Sequence, residues 1–275
     1  MYRELIELSD KTAVVFGARG GIGSRIVKGL LEFNAKVFAV SRNKKSCEEV
    51  FETEKKEFKD NLICLEADPF DEDSLQNLLS EILKYSKTVD ILINCVGGNM
   101  KEATTDREKP FFNIEIESIR KVIELNLFAG AIVPAKVFVK EMIKNEKGGS
   151  IIFVSSMSAT RPLTKVGGYG MAKSALENFT RWLATDICLN FNPLLRVNAV
   201  APGFFHTKQN EYLLYNSDGT LTERGKKIID ATPMKRFGKL EETVGAVIWL
   251  ASGLSSFVTG TVIPVDGGFS AFSGV

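Results

Sequence analysis

Two apolar periods alternate along the chain. Short runs that are apolar through their centres occur at 12–16, 36–40, 61–65, 90–94, 150–154, 196–200 and 261–265. Such runs fit strands buried on both faces, as in a parallel sheet. Between them the spacing changes to threes and fours: Ile22, Ile26, Leu30 and Phe33, then Leu75, Leu78, Leu79 and Ile82, then Ile116, Ile119, Val122 and Ile123. That is the period of a helix with one face turned inward. The alternation predicts an α/β fold: a Rossmann-type, doubly wound, seven-stranded parallel sheet with helices on both faces, in a single domain over 1–275. Residues 99–113 carry neither period and read as a surface excursion. Residues 204–232 read as a lid-like insertion with a turn at Asp218-Gly219.

Charge removes several functions from consideration. Lys and Arg total 35 against 34 Asp and Glu, a net charge of +1. This balance leaves no basic footprint for nucleic acid or an anionic membrane. Residues 1–11 are charged and lack the apolar core of a signal peptide. No stretch approaches the ~18 uninterrupted apolar residues of a membrane span. Cys47, Cys64, Cys95 and Cys188 form no C-x-x-C pair, and there is one histidine, so no metal site is expected. Thiols without a pairing pattern fit a reducing compartment. The expectation is a cytoplasmic protein acting on a small molecule.

The first predicted strand runs directly into Gly17-Ala18-Arg19-Gly20-Gly21-Ile22-Gly23, and a predicted helix follows. Glycines here let the chain turn sharply, let backbone approach a pyrophosphate and let the helix pack closely on the sheet. Unpaired N–H groups at the helix start then face the phosphates. The second strand ends in Ser41-Arg42-Asn43. An acid there would accept from the ribose 2′-hydroxyl of NAD, whereas a serine and a cation suit the 2′-phosphate of NADP. The residues therefore read as an NADP site, with NAD the alternative and a solvated Arg42 the plain one.

Tyr169 and Lys173 stand four apart at the start of a predicted helix, on one face. An ammonium beside a phenol favours the phenolate, so Lys173 is expected to lower the Tyr169 pKa and ready it for proton transfer. Ser156 ends the fifth strand thirteen residues earlier, and its hydroxyl can hold a substrate oxygen. Asn126 is an amide inside an apolar helix and needs buried partners.

The glycine spacing, Ser156, Tyr169 and Lys173, with Arg196-Val-Asn-Ala-Val-Ala-Pro-Gly203 and Pro264-Val-Asp-Gly-Gly268, resemble the short-chain dehydrogenase/reductase family over nearly the whole chain. Phe16 stands where that family usually has Thr. The resemblance implies a nicotinamide-dependent oxidoreductase in which Asn126, Ser156, Tyr169 and Lys173 are catalytic. It implies cofactor contacts at Gly17, Arg19, Gly21, Ile22, Gly23, Ser41, Arg42, Asp68, Asn94, Gly97, Pro202, Gly203 and Thr207, besides Tyr169 and Lys173. Asp68 would contact adenine or cap the helix starting near Glu72. Thr207 would contact the carboxamide or cap the segment after it. Asn126 would support a water relay to Lys173, and the family suggests a homotetramer.

Residues 204–210, 221–226, 232–238 and 266–275 are similar to the D-mannonate oxidoreductase (fructuronate reductase) branch. That branch implies a keto-sugar acid as substrate and NAD as cofactor, against the NADP reading of Ser41-Arg42. A carboxylate substrate calls for a cation, and Arg161, Lys165 and Lys208, with Gln209 and Asn210, are the candidates. His206 reads as a loop histidine. Alternatives on the same scaffold are a ketoacyl, steroid-like or sugar-alcohol (gluconate-type) reductase, and a catalytically silent cofactor-binding regulator.

Overall fold

The apolar runs become seven strands: β1 (Thr12–Phe16), β2 (Lys36–Ser41), β3 (Leu62–Glu66), β4 (Ile91–Asn94), β5 (Gly149–Val154), β6 (Leu195–Pro202) and β7 (Val262–Val265). In the computed structural model, which describes residues 1–207 and 210–274, they form one parallel sheet ordered β3-β2-β1-β4-β5-β6-β7. The boundaries move from expectation by a residue or so, and most at β6. It runs on to Pro202 because Ala201 and Pro202 pair with Pro264 and Val265 of β7. Pro264 is tolerated there because β7 is an edge strand, with one side of its ladder unpaired.

The helices are α1 (Tyr2–Ile6), α2 (Gly21–Glu32), α3 (Lys44–Val50), α4 (Glu52–Phe58), α5 (Glu72–Ile82), α6 (Ile116–Ile123), α7 (Val133–Met142), α8 (Gly167–Asn190), α9 (Glu211–Leu214), α10 (Glu223–Ala231) and α11 (Val244–Ala251). A π-helical segment, Glu124–Ile132, joins α6 to α7 without a break. The resulting helix, Ile116–Met142, is long and apolar enough to cross a membrane by length and composition alone, with half of its most apolar window buried. Its charged residues, Glu124 and Lys136 among them, keep it from reading as an uninterrupted apolar run. It packs on α8 and α5, which makes it part of the layer covering one face of the sheet.

Each sheet face carries its own core. On one side Phe16, Phe38, Leu75, Ile82, Phe138, Phe153 and Leu176 meet, with Phe16 and Phe138 edge to face at 5.6 Å. On the other, Ile26, Leu30, Val37, Cys47, Ile93, Val247 and Leu250 pack together. A third, small cluster of Leu214, Ile228 and Phe237 lies within and just after the insertion.

The register sets where chemistry can sit. Phe16 pairs with Val40 on one side and Asn94 on the other, and Asn94 pairs with Phe153. The chain therefore leaves β1, β2, β4 and β5 along one edge of the sheet, and the strand order reverses between β1 and β4. In such sheets ligands bind in the crevice outside the strand ends at that reversal.

Candidate active site

Two adjoining cavities, of about 680 and 590 Å³, run along this edge and share Gly20, Cys95 and Gly97. The first is lined by Gly17, Arg19, Ser41, Arg42, Asn43, Phe70 and Leu125. The second is lined by Gly21, Ile22, Gly23, Ser156, Tyr169, Lys173, Pro202, Gly203, Thr207 and Asn210. The two meet at the glycine turn, where Gly20 lines both.

That turn is built as the sequence requires. Gly17 leaves β1 at φ +68°, a left-handed conformation that favours glycine. Gly20 is the N-cap of α2, and no side chain caps that helix, so first-turn N–H groups stay available to an anion. A Cβ on Gly23 would collide with the Gly17 carbonyl oxygen. At the far end Arg19 donates to the Ser46 hydroxyl at 2.6 Å, which sets its guanidinium over the start of α3, beside Ser41 and Arg42. The Ser41 hydroxyl donates to the Asn43 carbonyl at 2.7 Å, and Asn43 caps α3 through Ser46.

Two expected cofactor residues turn elsewhere. Asp68 accepts from the Phe70 N–H at 3.0 Å, while the cap of α5 is Asp71 rather than Asp68. Asn94 is fully buried, donates to the Ala129 carbonyl and accepts from the Val96 N–H, so it ties the end of β4 to the π segment. Thr207 and Asn210 bond each other reciprocally: the Thr207 N–H donates to Asn210 Oδ1 and the Asn210 N–H to Thr207 Oγ1, while the Asn210 side chain does not cap α9.

Tyr169, Lys173 and Ser156 come together in the second cavity. The Ser156 hydroxyl hydrogen-bonds the Tyr169 phenol and draws its pKa down, but burial outweighs this and the net shift is upward. Lys173 contributes nothing to that shift, which corrects the expected lowering. Its ammonium lies 5.7 Å from the Tyr169 ring centroid and donates to the Val154 carbonyl at 2.7 Å. Lys173 is itself buried, and desolvation pulls its pKa down to about 8. Asn126, fully buried, accepts from the Gly98 N–H at 2.9 Å and donates to the Gly98 and Val122 carbonyls. A Cβ on Gly97 would lie 2.6 Å from Asn126 Oδ1 and 2.9 Å from Lys173 Nζ. Only a glycine lets the chain pass between the sheet edge and these two groups.

The candidate substrate cations do not gather around Tyr169. Arg161 is exposed, donates to the Ser270 carbonyl at 2.8 Å and lines a separate hollow with Lys227, Phe269 and Phe272. Lys165 is exposed, and its carbonyl accepts from Thr105, which straps the 99–113 excursion to the loop before α8. Lys208 and Gln209 lie outside the described residues. His206 faces Glu211 at 3.6 Å and the Tyr215 ring, as a loop histidine. Among the described residues, the cations lining the Tyr169 cavity are Lys173 and Arg25, and Arg25 is bound to Glu241. Phe204, Phe205 and Leu240 also line it, and pattern reading passed them over because single aromatic or aliphatic residues in a loop carry no period.

Comparison with known proteins agrees with this geometry. The sequence profile of the enoyl-(acyl carrier protein) reductase family matches residues 17–270. A Bacillus subtilis (strain 168) protein named uncharacterized oxidoreductase UxuB is 42% identical over 277 residues, covering 98% of each chain. The gluconate 5-dehydrogenase of Gluconobacter oxydans (strain 621H) is 30% identical over 270 residues, covering 97% of each. A crystal structure from Haemophilus influenza, provisionally named a D-mannonate oxidoreductase and holding NAD, superposes with a TM-score of 0.91. It is 36% identical and covers 98% of each chain.

Two outcomes follow from the packing around Lys173. Gly97→Ala should displace both Asn126 and Lys173 and cut turnover at least tenfold while the far-ultraviolet circular dichroism stays unchanged. Lys173 has a folded pKa of about 8, below its ordinary 10.5. Between these values the unfolded chain holds a proton that the native one lacks, so stability rises with pH across that window. Denaturant titrations should show wild type gaining about 3 kcal/mol relative to Lys173→Met from pH 8 to pH 10.5.

Proposed function

The chain belongs to the short-chain dehydrogenase/reductase family, and from that premise we propose that it transfers hydride between NAD(P) and a ketone or secondary alcohol of a sugar acid, such as fructuronate and mannonate. One observation carries the reading. Ser156, Tyr169 and Lys173 share the cavity that continues past Gly97 from the glycine turn, with the Ser156 hydroxyl bonded to the Tyr169 phenol. The residues present fit a dinucleotide: a left-handed glycine, uncapped helix N–H groups and a passage that a Cβ at residue 97 would fill.

The bound nicotinamide would supply or accept the hydride. The chain's own residues do the rest. Tyr169 passes its phenolic proton to the substrate oxygen in reduction and takes it back in oxidation. Ser156 orients that oxygen, and the ammonium of Lys173 would hold the cofactor's ribose. Asn126 holds the Gly98 backbone at the edge of the site. Catalysis of this kind rests on orientation and fixed dipoles. Burial keeps the phenol protonated near neutral pH, which suits its role as the acid in ketone reduction.

NADP is our first choice. Arg19, Ser41 and Arg42 line one cavity, and Ser41-Arg42-Asn43 at the end of β2 offers no acid to repel a 2′-phosphate. The NAD held by the Haemophilus relative favours the second reading, a site that takes either cofactor. The sugar-acid substrate draws support from the names of the relatives. We place the enzyme in the cytoplasm as a homotetramer, in which the exposed Trp182, Leu189 and Phe191 of α8 and its end would be covered.

Tyr169→Phe should lower kcat by several orders of magnitude and leave the cofactor Kd within about threefold, as measured with D-mannonate and hexuronates. Near-normal turnover would end the assignment. Arg42→Asp should move the ratio of kcat/KM for NADPH over NADH by tenfold or more toward NADH. An unchanged ratio would remove Arg42 from cofactor selection.

A further inference from the structure

We propose that Ser158 is a positioning residue that fixes the direction of the Ser156 hydroxyl; this rests on the reading of Ser156 and Tyr169 given above. Ser156 leaves β5 and caps the short 3₁₀ turn Met157–Ala159 with its own side chain. Its Oγ accepts from the Ser158 N–H at 3.2 Å and from the Ser158 hydroxyl at 3.0 Å. A hydroxyl has two lone pairs and one proton. Ser158 occupies both lone pairs, so the one capacity left to Ser156 is to donate. The partner within reach is the Tyr169 phenol, or a substrate oxygen set between them.

The neighbouring hydroxyls show that this arrangement is particular to Ser158. Ser155 donates to Glu177, Thr160 to the Met157 carbonyl and Ser174 to the Ala159 carbonyl. None of the three donates to Ser156. Ser158 is 3% exposed and does not line the cavity, so it acts through Ser156 and touches no substrate. Its consequence is directional. A free Ser156 hydroxyl can accept from the phenol as readily as donate to it, and accepting would hold the phenolic proton on Tyr169. A Ser156 that must donate stabilises the phenolate and lowers the cost of releasing that proton.

The test needs neither substrate nor cofactor. Near-ultraviolet tyrosinate titration, with the Tyr169→Phe curve subtracted, reads the Tyr169 pKa directly. Ser158→Ala should raise it by about half a unit, and Ser158→Thr, which keeps the hydroxyl, should restore it. In a Ser156→Ala background, Ser158→Ala should shift nothing further. In turnover of D-mannonate, Ser158→Ala should lower kcat about tenfold, with the cofactor KM within twofold. An unmoved pKa in Ser158→Ala, or an equal shift with and without Ser156, overturns the proposal alone. Near wild-type turnover of Tyr169→Phe overturns the site reading and the proposal together.

Discussion

An ammonium is held inside the protein with no carboxylate beside it among the described residues, and much of the site's architecture answers that fact. Lys173 is buried beside the Val154 carbonyl and the thiol of Cys95, which burial pushes up to about 12 and so keeps neutral. Burying a charge this way is costly, and the depressed pKa is a measure of that cost. An acid alongside would have relieved it. It would also have neutralised the positive charge that the proposed mechanism sets against the cofactor's ribose. The cost is carried by the two cores that clamp the sheet, because Lys173 rises from a long helix packed on one of them.

The same constraint explains the close approach at Gly97. For Lys173 to reach the cleft from α8, the chain leaving β4 must pass over it with no side chain in the way. Asn126 holds that passage by bonding both the N–H and the carbonyl of Gly98. It can do so because the helix around it is π-helical from Glu124 to Ile132, a local widening often found at functional sites. Asn94 completes the arrangement from the strand side through the Ala129 carbonyl in the same segment. Strand end, π segment and the helix carrying Tyr169 and Lys173 thus form one connected unit.

Much of this was legible in the sequence. Strands buried on both faces leave uniform apolar runs, and all seven were visible, as were the glycine turn and the Ser156, Tyr169 and Lys173 set. The misses have physical causes. β6 runs two residues past its apolar run because Ala201 and Pro202 pair with β7, a pairing between distant segments that leaves no local period. Asp68 and Asp71 are equally good caps by type, and only the backbone turn decides between them. The effect of Lys173 on Tyr169 was read from spacing along a helix, yet spacing fixes a face and not a direction. The ammonium points to Val154, and a serine next door, not the lysine, draws the phenol down. The 161–165 cations looked close to Tyr169 in sequence, but the loop carries Arg161 to the C-terminal tail instead.

Chemistry and substrate choice are anchored differently in this fold. The groups proposed to move a proton, Ser156, Tyr169 and Lys173, sit at a strand end and on a core helix, where any change of volume is felt by the packed sheet. The insertion instead has its own small cluster of Leu214, Ile228 and Phe237. It meets the rest of the chain through the Phe205–Gly238 bridge, the edge-to-face contact of Phe204 with Phe269, and the packing of Pro233 and Met234 on Gly267 and Gly268. Phe204, on its cavity-facing side, packs on that cluster and belongs to neither core of the sheet. Differences in substrate among proteins sharing this fold can therefore accumulate in the insertion at little cost to stability, while the residues around Lys173 cannot drift without disturbing the core that holds them.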